Sequence, residues 1–254
     1  MARREELPGV ALVRLLTDLG LTEGAARSLI ARMRRDGLLS ATPRGRAADY
    51  RLAGGFLADF RRAQAPQVAP PPAWEGYFHA VFYSIPEPQR AYRDRLRRAA
   101  ALARYGQMQP GVLISPADGR ARLEAELGAP PPDGTVHYGR VGLPTRDAAE
   151  IAYRAWDLAE LNARFRAHAD RLRRAARDHT PPAEPTGETL AAYVRLLGGA
   201  LVDTLRVPPL PADLLPADWA LPGLRAAIGE VFERCGPPAQ AYAVRVIAES
   251  GGAS

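Results

Sequence analysis

A run of alanine and proline divides this chain into two parts of different character. The run, at residues 63–73, reads Ala-Gln-Ala-Pro-Gln-Val-Ala-Pro-Pro-Pro-Ala. Proline fixes its own φ angle and lacks a backbone N–H, so such a segment does not continue a helix and tends to be extended and semi-stiff. We therefore predict a linker at 63–73, which separates an N-terminal domain at 1–62 from the rest of the chain.

The distribution of charge indicates what the N-terminal domain binds. All 34 basic residues of the chain are arginine, and the net charge is +6. Residues 1–62 hold 12 arginines against 7 carboxylates, whereas residues 63–254 hold 22 arginines against 21 carboxylates. A small basic segment attached to a nearly neutral body favours a module that binds a polyanion such as DNA.

Composition excludes several other classes of protein. The longest stretch without a charged residue runs only from Tyr105 to Ala117, and a membrane-spanning helix needs about 20 apolar residues. Arg14 interrupts the apolar residues near the N-terminus, which is not typical of a secretory signal. The single cysteine, Cys235, cannot form an internal disulfide or a cysteine-based zinc site. We expect a cytoplasmic protein.

The N-terminal domain has the pattern of two helices followed by a hairpin. Apolar residues recur at helical spacing from Val10 to Leu19, Gly20 follows as a stop signal, and Thr22 is the predicted N-cap of a second helix. Two short strands, at 38–41 and 50–52, flank a basic turn. This order predicts a winged helix-turn-helix, in which the second helix enters the major groove and the hairpin is the wing.

The predicted DNA-binding residues lie on the second helix and in the basic turn. They are Arg27, Ser28, Arg32, Arg34 and Arg35 on the helix, and Arg44 and Arg46 in the turn. The alternative is that these arginines form a solvated helix face in an arginine-rich protein. A winged helix normally has one more helix before this pair. Either the chain therefore starts further upstream, or we expect later segments to cover the exposed face of the first helix.

The remaining chain predicts an α+β region followed by helices. Between 74 and 143, strand and helix patterns alternate, which favours a ferredoxin-like middle domain. Residues 144–254 predict a helical C-terminal domain, with one long helix over 147–177. The fold class is therefore a multidomain α+β protein.

Enzyme chemistry finds little support in the sequence. The four histidines are scattered and form no pair with metal-ligand spacing. A metal-dependent nuclease of ferredoxin-like fold is an alternative, but no carboxylate ends the first middle-domain strand, where residues 82–85 read Phe-Tyr-Ser-Ile. We expect no catalytic residues, no metal site, no cofactor and no enzymatic activity.

Five short segments, in the same order along the chain, resemble the PaaX family of transcriptional repressors. They are Trp74-Glu75-Gly76; Ile85-Pro86-Glu87 with Arg90, Arg93 and Arg97; the strand from Pro110 to Pro116; Trp156-Asp157-Leu158; and the Leu-Pro-rich stretch from Leu210 to Trp219. Two departures are Leu113, where the family usually has tryptophan, and the short segment before the first helix.

The resemblance implies a winged-helix domain, a ferredoxin-like middle domain and a helical C-terminal domain. It further implies a homodimeric repressor that leaves its operator when an aryl-CoA thioester binds, typically phenylacetyl-CoA; another acyl-CoA or aromatic metabolite is the alternative effector. Arginines suit the phosphates of CoA and tryptophans suit an apolar slot. The candidate effector residues are Arg90, Arg93, Arg97, Trp156 and Trp219, although solvated arginines and core tryptophans would show the same pattern.

Overall fold

The computed structural model describes residues 6–45, 47–54, 73–206 and 210–251, and the chain forms two compact units. The first unit is drawn from residues 1–66, 166–205 and 222–254, and the second from residues 67–165 and 206–221. The helices of the C-terminal half therefore contribute to both units. The predicted linker at 63–73 falls, except for Ala73, outside the described residues.

The N-terminal part of the first unit contains two helices and a small antiparallel sheet. Its elements are β1 (Leu7–Pro8), α1 (Gly9–Asp18), α2 (Glu23–Arg35), β2 (Leu39–Arg44) and β3 (Ala47–Leu52). The strand order is β1-β3-β2. The hairpin is longer than the predicted one, because β2 and β3 remain paired from Leu39↔Leu52 to Arg44↔Ala47. Strand β1 was not predicted, since two residues carry no periodicity.

The second unit is built around a four-stranded antiparallel sheet. Its elements are β4 (Tyr77–Ser84), α3 (Arg90–Leu102), β5 (Gly106–Gln109), β6 (Val112–Ser115), α4 (Arg120–Leu127) and β7 (Thr135–Gly142). The strand order β5-β6-β4-β7, with a helix after the first and third strands, is the split βαβ arrangement of ferredoxin-like folds.

Each face of this sheet packs on its own hydrophobic cluster, because successive side chains of a strand point to opposite faces. Val81 and Tyr83 of β4 pack with Leu96 of α3 on one face, which we call the α3 face. Phe78 and Ala80 belong to the cluster on the opposite face. That cluster also contains Ala148, Ala152, Leu158, Leu210 and Leu214.

The C-terminal half is helical, as predicted, but the single long helix expected over 147–177 is wrong. The helices are α5 (Thr145–Ala155), α6 (Leu158–Arg177), α7 (Gly187–Arg206), α8 (Leu221–Arg234) and α9 (Gly236–Gly251). The chain breaks between α5 and α6 because Asp157 has a positive φ of 45°. The Asp157 carboxylate accepts a hydrogen bond from the backbone N–H of Glu160 at 3.4 Å, which caps the start of α6.

Candidate DNA-binding surface

A short turn sets the start of α2, the helix that carries most of the predicted DNA-binding residues. Gly20 has a φ of 98°, a conformation that glycine adopts without strain, and it reverses the chain after α1. The Thr22 hydroxyl then accepts a hydrogen bond from the backbone N–H of Ala25 at 3.2 Å. Thr22 is therefore the N-cap, as predicted, and it satisfies one of the free N–H groups at the start of α2.

One face of α2 is buried and the other carries the arginines. Ala26 is 0 % exposed and Ile30 is 5 % exposed. The five predicted residues of the helix are all exposed: Arg27, Ser28, Arg32, Arg34 and Arg35. Each side chain is therefore accessible to a ligand from solution.

The five residues form two strips rather than one. A helix turns about 100° per residue, so Ser28, Arg32 and Arg35 lie within about 60° of one another. We call these three residues the outer strip. Arg27 and Arg34, seven positions apart, share a different direction and line a groove between α1, α2 and β3. Because the two strips face different directions, a straight duplex in close contact with the outer strip does not contact Arg27 and Arg34 to the same extent.

The groove beside the outer strip has a volume of about 540 Å³. Val13, Ile30 and Tyr50 are among its apolar lining residues. Val10, which the sequence placed in the apolar repeat of α1, also lines the groove and is 64 % exposed. The apolar repeat alone could not show that this position faces outward.

Charge partners distinguish the arginines of α2. Arg27 forms an ion pair with Glu23, one turn earlier on the same helix. Within the part of the chain that the structure describes, the guanidinium groups of Arg32, Arg34 and Arg35 form no hydrogen bond or ion pair. All three lie in the last turn of α2, where positive charge complements the helix dipole. They are the arginines of this helix that need not lose a partner to bind a phosphate.

The hairpin places one more predicted residue at an exposed position. Arg44 is the last residue of β2, beside Gly45 with its positive φ of 60°. The Arg44 guanidinium lies 3.4 Å from the Asp49 carboxylate, and the Arg44 side chain is 59 % exposed. An ion pair this exposed is weak, so a phosphate can compete for Arg44. Arg46 lies outside the described residues.

The three predicted effector arginines are exposed to different degrees but each has a partner on or beside α3. Arg93 forms an ion pair with Glu87 at 2.9 Å. The Arg97 guanidinium donates a hydrogen bond to the Tyr83 hydroxyl at 3.1 Å. Arg90 lies 3.6 Å from Asp94, one turn later. All three therefore belong to the α3 face of the sheet.

The two predicted effector tryptophans lie with the opposite cluster. Trp156 and Trp219 both pack against the residues around Phe78. The Trp156 indole N–H donates to the backbone carbonyl of Arg104 at 3.3 Å, and the Trp219 ring meets Phe165 edge-on at 5.3 Å between centroids. The structure thus does not bring the five candidate effector residues together in one pocket.

One further pair of chemistry-bearing side chains is formed by the buried Asp203 carboxylate and the His168 imidazole, whose Nε2 atom lies 3.0 Å from it. Among the residues that the structure describes, no group of three or more His, Cys, Asp or Glu side chains is placed to hold a metal ion. Cys235 is buried, and burial raises the pKa of its thiol. In the same described ranges no helix has the length and hydropathy to cross a membrane.

Comparison with known proteins decides the family. Three family models match successive parts of the chain: "PaaX-like protein" at residues 2–55, "PaaX protein central Cas2-like domain" at 71–146, and "PaaX-like protein C-terminal domain" at 156–245. The chain belongs to the PaaX family. The membership that five sequence motifs predicted is thereby confirmed.

Two known proteins match most of the chain, one in sequence and one in structure. The transcriptional repressor PaaX of Escherichia coli (strain K12) is 27% identical over 249 residues, which covers 91% of this chain and 75% of the repressor. The structure of the uncharacterized protein Rv0674 from Mycobacterium tuberculosis matches with a TM-score of 0.56 and 24% identity. That match covers 94% of this chain and 93% of Rv0674, and it shows a shared fold.

Proposed function

We propose that this PaaX family member is a transcriptional repressor that binds DNA through a winged helix-turn-helix domain at residues 1–62. The observation that carries the proposal is the outer strip of α2, since Ser28, Arg32 and Arg35 are exposed on one side of the helix. The Escherichia coli relative, a transcriptional repressor by name, supports it. Such a protein acts on chromosomal DNA, hence in the cytoplasm.

Helix α2 has the dimensions of a recognition helix. Its 13 residues span about 20 Å, and one α-helix fits the major groove of B-DNA. In this arrangement Ser28 and Arg32 reach base edges, and Arg35 contacts a phosphate. Arg44, with Arg46 beside it in sequence, contacts phosphate from the hairpin, which is the wing.

A homodimer is the form in which such a module binds tightly. Two copies of α2 that bind two half-sites about one helical turn apart multiply a modest affinity, and the operator acquires the symmetry of the dimer. We propose that residues 63–73 act as the linker to a middle domain at 74–143 and a helical domain at 144–254.

Release from DNA follows from the binding of an effector, for which we propose phenylacetyl-CoA. An effector shifts the protein away from DNA by no more than its difference in affinity between the two states. Because Arg90, Arg93 and Arg97 lie on the α3 face and Trp156 and Trp219 on the other, one of the two sets contacts the effector. The arginine set suits the phosphates of CoA. Another acyl-CoA or aromatic metabolite is the alternative effector.

Fluorescence anisotropy tests this proposal directly. Labelled duplexes tile the region upstream of the protein's own gene, and affinity is measured over a series of salt concentrations. We expect tight, salt-sensitive binding to one duplex and its release by phenylacetyl-CoA but not by phenylacetate or acetyl-CoA. Binding that no CoA thioester disturbs would contradict the effector alone, and no sequence-specific binding to any duplex would contradict the repressor.

A further inference from the structure

Helix α9, the last helix of the chain, packs along α1 within the first unit. Ala11 of α1 forms a buried cluster with Tyr242 and Val246 of α9. Ala11 and Val246 are both 0 % exposed. Leu15 and Ile247 pack against the same cluster. A later segment therefore covers part of the α1 surface, which is one of the two outcomes expected from the sequence.

A hydrogen bond joins the two helices at the last residue of α1. The Tyr242 hydroxyl donates to the Asp18 carboxylate at 2.7 Å. Burial, then the hydrogen bond to Asp18, raises the pKa of Tyr242, so the hydroxyl keeps its proton at neutral pH. A hydrogen bond to a charged acceptor is stronger than one between neutral groups. This contact is thus a specific polar link beside the buried apolar cluster of the junction.

The start of α7 also abuts Asp18. A Cβ atom at Gly187, the first residue of α7, would lie 3.0 Å from the Asp18 Cγ atom. A carboxylate near a helix N-terminus is stabilised by the helix dipole. A side chain at this position would require Asp18 to shift by a few tenths of an ångström. The carboxylate is therefore held by α9 on one side and confined by α7 on another.

Arg245 ties α9 to the segment before α7 and covers the tyrosine ring. Its guanidinium donates to the backbone carbonyl of Pro185 at 2.6 Å and lies 5.4 Å from the centroid of the Tyr242 ring. The ion pair of Arg14 with Glu249 at 2.7 Å also joins α1 and α9, but both side chains are about half exposed, at 48% and 50%. Such an exposed pair contributes little.

The position of Asp18 links this junction to the DNA-binding surface. Asp18 ends α1, and α2 begins at Glu23 after the Gly20 turn. Because this turn is short and is closed by backbone hydrogen bonds, such as that from Leu21 to Leu16 at 3.2 Å, a shift of α1 moves the start of α2 as well. The outer strip is part of α2 and therefore moves with it.

We propose that Tyr242 is a positioning residue for DNA binding, whose hydrogen bond to Asp18 holds α1, and through it α2, in the orientation that presents the outer strip to one duplex. The inference rests on the proposed DNA-binding function. It assigns α9 an indirect part in DNA recognition, through its packing on α1.

The test compares variants for DNA affinity under conditions in which all of them are folded. The variants are Tyr242→Phe, Asp18→Ala, their double variant and Gly187→Ala. Tyr193→Phe, which removes a tyrosine hydroxyl elsewhere in the first unit, is the matched control. Anisotropy is measured with the duplex that the wild-type protein binds most tightly, well below every unfolding temperature and over a salt series.

We expect Tyr242→Phe and Asp18→Ala each to lower the affinity about tenfold, the order expected when a hydrogen bond to a charged group is lost. The double variant loses no more affinity than the single variant that binds DNA less tightly, since both changes remove the same hydrogen bond. Gly187→Ala weakens binding because the added methyl group displaces Asp18. The slope of log affinity against log salt falls by no more than about one, since Arg35 is the one phosphate contact proposed for the outer strip. Tyr193→Phe binds normally.

Two results would overturn the inference. If Tyr242→Phe lowers only the unfolding temperature and binds DNA like the wild type, the bond is merely structural; if Tyr193→Phe loses as much affinity as Tyr242→Phe, the loss is not specific to the bond with Asp18. An Arg32→Ala variant in the same experiment distinguishes failure of the proposed DNA-binding function from failure of the positioning role of Tyr242. When Arg32→Ala loses affinity and Tyr242→Phe does not, the proposed function stands and the positioning role fails. When the wild-type protein binds no duplex, both fail.

Discussion

Helices α2 and α3 are alike in sequence and differ in what surrounds them. Each has 13 residues, a buried apolar side and several arginines on its polar side. On α3, Arg93 and Arg97 are bound by Glu87 and by the Tyr83 hydroxyl. On α2, Arg32 and Arg35 form no such bond with any described residue. Four of the five arginines of α3 bind groups of their own unit, whereas three of the four arginines of α2 have no side-chain partner among the described residues.

Arginine spacing alone therefore does not identify a polyanion-binding helix. Binding a phosphate to a paired arginine requires the loss of an existing hydrogen bond, and this loss offsets part of the gain. An unpaired, exposed arginine carries no such cost. The informative feature is the position of carboxylates and hydroxyls on neighbouring elements. By this criterion α2 suits DNA, and α3 suits a ligand strong enough to displace Glu87.

The largest effect expected from this comparison is the loss of DNA affinity in Arg32→Ala. If Arg32 reads a base edge, its removal costs roughly 1–3 kcal/mol of binding free energy and relaxes specificity at one position. Arg90→Ala removes the same charge from α3 and is the matched control, for which we expect unchanged affinity. Anisotropy with the tightest duplex and its single-base variants measures both.

Equal losses in the two variants would contradict the comparison, because they would mean that overall charge, and not the place of the arginine, sets the affinity. Circular dichroism on the same samples shows that both proteins are folded. Arg32 is exposed and outside the buried face of α2, so its removal leaves the packing intact.

Local features of both helices could be predicted from the sequence, and long-range ones could not. Thr22 as N-cap and Ala26 and Ile30 as buried positions follow from spacing along a few residues. The partners of Arg93 and Arg97 depend on how β4 and the turn before α3 fold against the helix, which no local pattern records. The break at Asp157 was missed for a similar reason, since the apolar repeat continues across it.

The candidate site shows the same limit. The sequence predicted which helix carries the arginines, and these arginines are exposed. It did not separate the outer strip from Arg27 and Arg34, because only the packing of α1 and β3 beside α2 creates the groove that these two residues line. The role of Tyr242 had no sequence signal, since it lies 224 residues from its partner Asp18.

A smaller effect is expected at the hairpin. Arg44 has a partner, Asp49, but the ion pair is weak, so its pairing is intermediate between that of the arginines on α2 and that of the arginines on α3. If Arg44 contacts a phosphate, Arg44→Ala weakens binding to all sequences alike and reduces the slope of log affinity against log salt by about one. Anisotropy over a salt series, on specific and unrelated duplexes, measures this. A slope equal to that of the wild-type protein would remove the hairpin from the phosphate contacts.

The smallest effect concerns stability rather than binding. It tests α3, where Arg93 forms an ion pair with Glu87. The hydrogen bond from Arg93, followed by its charge, lowers the pKa of Glu87 below its ordinary value. A carboxyl with a lowered pKa in the folded state stabilises the protein above the pKa of the unfolded chain, and this stabilisation is lost as the pH falls through the folded value.

We expect Arg93→Ala to be slightly less stable than the wild type at neutral pH. The difference shrinks below about pH 4, where glutamate takes up its proton. Urea unfolding at both pH values measures this, with Glu87→Gln as the matched variant. A difference that stays constant with pH would assign the contribution to the packing of the Arg93 side chain, which is only 24% exposed, and not to its charge.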